Sequence, residues 1–319
     1  MHNVTISVII PCFNVEAYIS DCLQSVLSQK VLPFEIICVD DGSTDDTITI
    51  IESFIARHPG KIILLRNEGN KGATYSRNRG MSVAKGNYLQ FLDADDILLP
   101  HKFEHQTNIL NALEELPDIL VGSFTKKFLD GQEKEYINTE ADKWVALIDN
   151  RIGVTSANLF QKSKIEEVGG WSEYLKSSQE YDLMFRMMQK DATVHFDSLK
   201  VNINRERPSG SITKSNPKEK WKRYINLRIR IYNHLASTGR LTEIREQAFI
   251  YNLFNAIRTL YLYDRPTALE YYNQYLKGKK LPDNGQLINS TYRFFYNLLG
   301  LDLAQKISLF VKGEKINET

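Results

Sequence analysis

The stretch Tyr88-Leu-Gln-Phe-Leu-Asp-Ala-Asp-Asp96 opens as a short apolar run and closes in three carboxylates. Tyr88, Leu89, Phe91 and Leu92 have the length and composition of a buried strand, and Gly86-Asn87 punctuates its start. Asp93, Asp95 and Asp96 then fall where that strand would end. If the backbone stays extended there, period-2 geometry puts Asp93 and Asp95 on one side. Two carboxylates a residue apart suit a hard divalent cation, Mn²⁺ or Mg²⁺, which takes oxygen ligands. In open α/β sheets the ligand crevice lies at the carboxyl ends of the strands, where these residues would sit. The competing reading is that the acids open the next helix, whose dipole favours them. For Asp96, ahead of Ile97-Leu98-Leu99, both readings stand. For Asp93 with Asp95 the cation reading is preferred.

Upstream, strand and helix alternate. Residues 5–10 form a β-branched run that Pro11 ends, and Asn14 to Gln29 carries Ile19, Cys22, Leu23, Val26 and Leu27 at helical spacing. Residues 35–39 read as a second strand delivering Asp40-Asp41-Gly42-Ser43-Thr44-Asp45. Ser43 and Asp45 there are N-cap types for a helix to about Arg57. Residues 62–65 read as a third strand. The glycine-rich loop Glu68-Gly-Asn-Lys-Gly72 leads into a helix from Ala73 to Ala84. Four alternations predict a parallel, doubly wound sheet with right-handed crossovers.

Beyond Pro100 the alternation loosens. A helix from Lys102 to Glu115 and an extended segment from Ile119 to Phe124 precede a hairpin-like region at Asp130-Gly131. Further strands are expected over residues 157–160 and 194–203, with a turn at Gly169-Gly170-Trp171 and a helix over 181–189. His101 and His105 stand at a spacing that can bind zinc, but no third ligand is evident. Exposed helix positions are therefore expected for both. From Glu219 to Leu309 the text is helical and rich in aromatics, with Pro266, Pro282 and Gly300 as punctuation. This predicts four or five helices, then a disordered tail from Lys312.

Bulk composition excludes several classes. The 319 residues carry 40 Lys plus Arg against 39 Asp plus Glu, a net +1, so no global charge points to nucleic acid. Cys12, Cys22 and Cys38 lack metal-site spacing and read as buried positions in a reducing compartment. No apolar run approaches the ~20 residues needed to span a bilayer. The N-terminus does not read as a signal sequence, so a cytoplasmic location is expected.

No G-x-x-x-x-G-K-[ST] and no G-x-G-x-x-G after the first strand is present, which argues against a P-loop enzyme and a dinucleotide dehydrogenase. Phosphates would instead be met by a cation held between the acids, with Lys71, Arg77 or Arg207 nearby. Four segments carry a resemblance: Val8-Ile-Ile-Pro-Cys-Phe-Asn14, Val39-Asp-Asp-Gly-Ser-Thr-Asp-Asp-Thr47, Asn70-Lys-Gly with Ser76-Arg-Asn-Arg-Gly80, and Phe91-Leu-Asp-Ala-Asp-Asp96. In this order and spacing the chain resembles the family 2 glycosyltransferases of the GT-A fold. The likeness is close over the first hundred residues or so and weaker to about residue 212.

The resemblance implies a nucleotide-sugar-dependent, metal-assisted, inverting transferase with a mixed α/β sheet. Pro11 and Phe13 would frame the nucleobase, and Asp40 would bond its edge, as in uracil-binding members, so a UDP-sugar is favoured. Asp93, Ala94 and Asp95 match the DXD segment, which contacts ribose and the cation-bound diphosphate. Ser178-Gln-Glu-Tyr-Asp-Leu-Met-Phe-Arg186 resembles the acidic motif that contains the general base. Aligned on Leu183, Gln179 replaces its first acid and Glu180 falls on the base, with Asp182 as rival. Arg205-Glu-Arg-Pro-Ser-Gly-Ser211 resembles the loop that closes over the diphosphate, with Arg205 and Arg207 where many members place a histidine. Arg79 is read as a solvated helix charge.

These implications assign residues 1–213 to catalysis and 214–319 to a helical appendage. The expected donor partner is a nucleotide-sugar and the acceptor a glycan or lipid-linked hydroxyl, in cell-surface polysaccharide or glycolipid assembly. Within 218–232, Lys220, Arg223 and Arg230 lie along one helix face and Trp221, Ile225 and Tyr232 along another. That helix either docks on anionic lipid or packs its aromatic face on the catalytic domain. The rival classes are a receiver-like signalling module, which needs a later strand-end lysine, and a non-catalytic binding protein of the same fold.

Overall fold

The structure, a computed structural model, describes residues 2–140, 142–208, 216–281 and 290–312. The chain divides into two compact units, Met1–Gly210 and Ser211–Thr319.

The first unit begins with strand–helix alternation: β1 (Ile6–Cys12), α1 (Glu16–Leu27), β2 (Glu35–Asp40), α2 (Thr47–Arg57), β3 (Ile62–Arg66), α3 (Ala73–Val83) and β4 (Tyr88–Phe91). β1 pairs in parallel with β2 and β4, and β2 with β3, in the order β3-β2-β1-β4. Ile6, Val8 and Ile10 of β1 share one core with Ile19, Cys22, Leu23 and Val26 of α1 and Ile51 and Phe54 of α2. Ile9 takes the other face, where α3 lies so close that a Cβ on Gly80 would sit 2.5 Å from Ile9 Cγ2. A glycine there is what lets α3 seat on the sheet. Burial on both faces explains why β1 reads as an unbroken apolar run.

The chain continues through β5 (Ile97–Leu98), α4 (Lys102–Ala112), β6 (Ile119–Lys127), β7 (Glu133–Tyr136), α5 (Lys143–Ile148), β8 (Leu159–Gln161), α6 (Lys162–Glu167), α7 (Gln179–Gln189) and β9 (Val194–Arg205). β8 lies antiparallel between β4 and β6, β9 runs parallel to β6, and β5 pairs antiparallel with β9, so the sheet is mixed. The Asp130-Gly131 turn closes β6 on β7 as an antiparallel hairpin.

One open reading and one expectation fail here. Ile97-Leu98-Leu99 opens no helix, because Ile97 and Leu98 pair with Ile203 and Asn202 and α4 begins only at Lys102. His101 and His105 are half-buried rather than exposed. His105 Nε2 lies 2.9 Å from Asp197 Oδ1 and His101 Nε2 lies 3.3 Å from the Lys200 carbonyl, so both join α4 to β9.

The second unit contains α8 (Pro217–Ser237), α9 (Glu243–Leu260), α10 (Arg265–Tyr275) and α11 (Ser290–Lys312), the last broken at Gly300 with φ 76°. The side chains of Asn216, Thr242 and Asp264 cap α8, α9 and α10 by accepting the N–H of Glu219, Arg245 and Thr267. Trp221, Tyr224 and Tyr232 of α8 pack on the core of this helical unit, in which Ile225 is fully buried. Tyr232 stacks on Phe249 with ring centroids 4.3 Å apart. The aromatic edge of α8 thus has packing partners inside its own unit. Lys312 closes α11, and the rest of the expected disordered tail, 313–319, lies outside the described residues, as does Pro282. No helix of the described residues is long and apolar enough to cross a membrane.

Candidate active site

The sheet brings four segments to the carboxyl end of β1, β2 and β4. The first is the turn after β2. Asp40, 1% exposed, accepts the N–H of Gly42 at 3.1 Å and of Ser43 at 3.2 Å. Asp41 accepts the N–H of Lys71 at 2.9 Å and of Gly72 at 2.7 Å, and the Asn67 amide at 2.7 Å. Both carboxylates therefore build the turn and tie it to the glycine-rich loop. The Lys71 side chain is exposed, and its backbone makes the contact to Asp41.

Gly42 stands at φ +80°, where a Cβ would lie 2.7 Å from the Gly69 Cα and 2.9 Å from its carbonyl carbon. Neither backbone atom can yield without moving the loop. Gly42→Ala is expected to destabilise the first unit by about 1–3 kcal/mol, read as a lowered melting temperature. An unchanged melt would show that the two loops do not need this approach.

The second segment is the carboxylate turn. Its backbone does not stay extended: the Asp96 N–H donates to the Asp93 carbonyl at 2.9 Å, closing a turn. Asp96 is drawn inward, 1% exposed, where it accepts from Ser156 Oγ, Asn204 Nδ2 at 3.0 Å and the Arg205 N–H at 3.0 Å. It neither opens a helix nor faces the crevice. Burial, with the charges of Asp93 and Asp95 adding, pushes its carboxyl up to about 8. Asp95 is raised by burial and by the charge of Asp93. Asp93 is more open, its side chain 39% exposed.

Arginines face both acids. Arg77, from α3, pairs with Asp93 at 2.6 Å and lies over the Trp171 ring at 4.6 Å. Arg207, just past β9, pairs with Asp95 at 3.2 Å. Arg205 donates to the Asp95 carbonyl and pairs with Asp21 at 3.0 Å. The guanidiniums of Arg205 and Arg207 lie 5.4 and 5.0 Å from the Tyr18 ring centre. Of the loop after β9, residues 206–208 are described and 209–215 are not. Arg79 is not a solvated charge, because it donates to the Arg66 carbonyl and to Asn67 Oδ1 beside the Asp41 network.

Could these residues hold a divalent cation? Asp93 and Asp95 offer hard oxygen donors, and their mutual repulsion, which raises Asp95, is what a cation would relieve. No group of three His, Cys, Asp or Glu poised for a metal occurs among the described residues. The pair fits a cation that takes its remaining oxygens from a ligand and water.

The third segment frames the mouth. Pro11 is half-buried near the end of β1, and Phe13 beyond it is 42% exposed, an apolar ring turned to solvent. Ala94 is buried within the carboxylate turn.

The fourth segment is the start of α7, entered through Ser178 in the left-handed region at φ 57°. Glu180 is half-buried in the first turn. Asp182 is 1% exposed, accepts from Ser172 Oγ at 2.8 Å and pairs with Arg186 at 2.8 Å. That commits Asp182 to holding α7 in place. Sequence reading missed Tyr18, Ser156, Asn204 and Trp171. Only Tyr18 gave a signal, as an aromatic on α1 about 100° round the helix from Ile19.

With this geometry in hand, the sequence pattern of glycosyl transferase family 2 matches residues 7–170, about half of the chain. The chain belongs to this family. An uncharacterized glycosyltransferase of Rickettsia felis is 30% identical over 225 residues, covering 66% of this chain and 36% of that protein. The chain thus spans little more than a third of that relative's length, and 37% of a Rickettsia conorii relative. Staphylococcus aureus TarS 1–349, solved in complex with UDP-GlcNAc, superposes with a TM-score of 0.69 at 17% identity, over 97% of this chain and 92% of that one. The mannosyltransferase PcManGT from Pyrobaculum calidifontis, solved with GDP-Man and Mn²⁺, gives 0.55 at 17% identity, over 98% and 89%. These likenesses show the GT-A fold.

Proposed function

We propose that this family 2 glycosyltransferase moves a sugar from a nucleotide-diphosphate sugar, with UDP favoured, to an acceptor hydroxyl with inversion. The observation that carries this reading is the turn after β4, where Asp93 and Asp95 gather and each meets an arginine. The UDP-GlcNAc held by TarS supports the donor class, and the GDP-Man and Mn²⁺ of PcManGT support a cation beside a diphosphate. Phe13 and Pro11 flank the base, and Asp40 accepts from its edge. Ala94, between the two acids, lies against the donor. Lys71 serves the donor's phosphate side, and Arg77 acts there through Asp93, which it holds at 2.6 Å.

Held by Asp93 and Asp95, Mn²⁺ or Mg²⁺ would neutralise charge on the leaving diphosphate. Arg207 adds positive charge there from the end of β9. Glu180 takes the proton of the acceptor hydroxyl as its oxygen bonds the anomeric carbon, while the bond from that carbon to the diphosphate oxygen breaks. A glycan or lipid-linked acceptor in cell-surface polysaccharide or glycolipid assembly fits this chemistry. The three free, buried thiols suit a reducing compartment, in keeping with a cytoplasmic supply of donor.

A thermal-shift panel tests the donor class, since a ligand that prefers the native state raises stability. UDP with Mn²⁺ is expected to raise the melting temperature more than GDP with Mn²⁺ or UDP with chelator. Equal shifts for all nucleotides, or none with any of them, would overturn the donor assignment.

A further inference from the structure

One side chain joins the first turn of α7 to the carboxylate turn. Gln179 Oε1 accepts from Arg77 Nη1 at 3.3 Å, and Gln179 Nε2 donates to the Leu175 carbonyl at 2.7 Å. Arg77 Nη2 donates to Asp93 Oδ1 at 2.6 Å. The Arg77 side chain is only 7% exposed, and its buried Nε has no hydrogen-bond partner among the described residues. Arg77 is therefore a buried cation with Asp93 as its anionic partner and a neutral amide as its second acceptor. A buried guanidinium depends strongly on whatever charge faces it.

We propose that Gln179 is a positioning residue that sets how tightly Arg77 holds Asp93, and thereby how much of the Asp93 carboxylate remains for a divalent cation. This rests on the cation site proposed above. Because the amide at 179 brings no charge, the carboxylate paired with Arg77 among the described residues is that of Asp93. Asp93 is then partly neutralised before any cation arrives, as Asp95 is by Arg207. A carboxylate at 179 would share the guanidinium, loosen Asp93 and leave the site one charge more negative. An apolar side chain of the same length would remove the competing acceptor and leave Arg77 to Asp93.

The strength of Mn²⁺ binding should therefore follow the residue at 179. Mn²⁺ titrations followed by EPR on the full chain, without nucleotide, read this directly. Gln179→Glu is expected to bind Mn²⁺ about tenfold tighter than the parent, and Gln179→Met more weakly than the parent. In an Asp93→Asn background the gain from Gln179→Glu should largely vanish, an interaction that a merely structural or long-range electrostatic role would not produce. Equal affinities across Glu, Gln and Met, or a gain that persists without Asp93, would overturn the proposal. If Gln179→Glu fails to fold, the near-isosteric Gln179→Met carries the test, and unchanged affinity there overturns it. An Asp95→Ala control separates the two levels. Mn²⁺ binding that survives Asp95→Ala removes the cation site itself. Binding lost in that control, with a flat series at 179, removes only the role of Gln179.

Discussion

Glu180→Gln is expected to leave donor affinity nearly unchanged and to cut sugar transfer by about 10²-fold or more. An acceptor hydroxyl is a weak nucleophile at neutral pH, and a positioned carboxylate that takes its proton typically contributes ~10²–10⁴-fold. Glutamine keeps the size and hydrogen bonding of the side chain but cannot accept that proton. The structure sharpens the choice between the two acids of α7. Asp182 is buried against Arg186 and Ser172, about 200° round the helix from Glu180, and its carboxylate already carries a charge-assisted bond. Asp182→Asn should therefore act on stability, leaving Arg186 without its partner, with a loss of roughly 3–5 kcal/mol on the scale of broken buried pairs. Steady-state kinetics and melting curves on both variants separate the roles. Near-normal turnover in Glu180→Gln beside a folded but inactive Asp182→Asn would give the base to Asp182.

Asp95→Ala should abolish the metal-dependent stabilisation conferred by a nucleoside diphosphate. In the parent, a nucleotide at about 100 times its Kd raises stability by about 2.7 kcal/mol, and the variant should forfeit nearly all of the part that needs Mn²⁺. The warrant is structural. Asp95 is raised by burial and by its neighbour Asp93, a repulsion that a cation between the two acids would relieve. The same substitution frees Arg207 from its 3.2 Å pairing. Some cation-independent affinity for the diphosphate is expected to remain through that arginine. Undiminished stabilisation by UDP, with no dependence on Mn²⁺, would show that the site works without a cation at Asp95.

The sequence by itself determined the elements whose signals are local. The apolar runs of β1, β2 and β4 and the helical spacing of α1 report burial directly, because a strand or helix face repeats within a few residues. The same holds for the clustering of acids after β4, for the turn at Asp40-Asp41-Gly42 and for the amphipathic start of α7 that presents Glu180. Local text also marked the mixed second half loosely, through the Asp130-Gly131 hairpin and the strand at β9.

Only the tertiary structure decided what the polar residues do, because their partners come from distant parts of the chain. For Asp96, beside Ile97-Leu98-Leu99, a helix opener and a cation ligand were both open readings. Ser156, Asn204 and Arg205 reach it from 60 to 109 residues away and turn it into a buried anchor. Arg79 read as solvated until α3 docked on the sheet and brought it to Asn67. His105 found Asp197, 92 residues on, and α8 found Phe249 for its aromatic edge. A buried polar group must be paired, and a side chain's own neighbours in sequence do not reveal which distant group folding will bring to it.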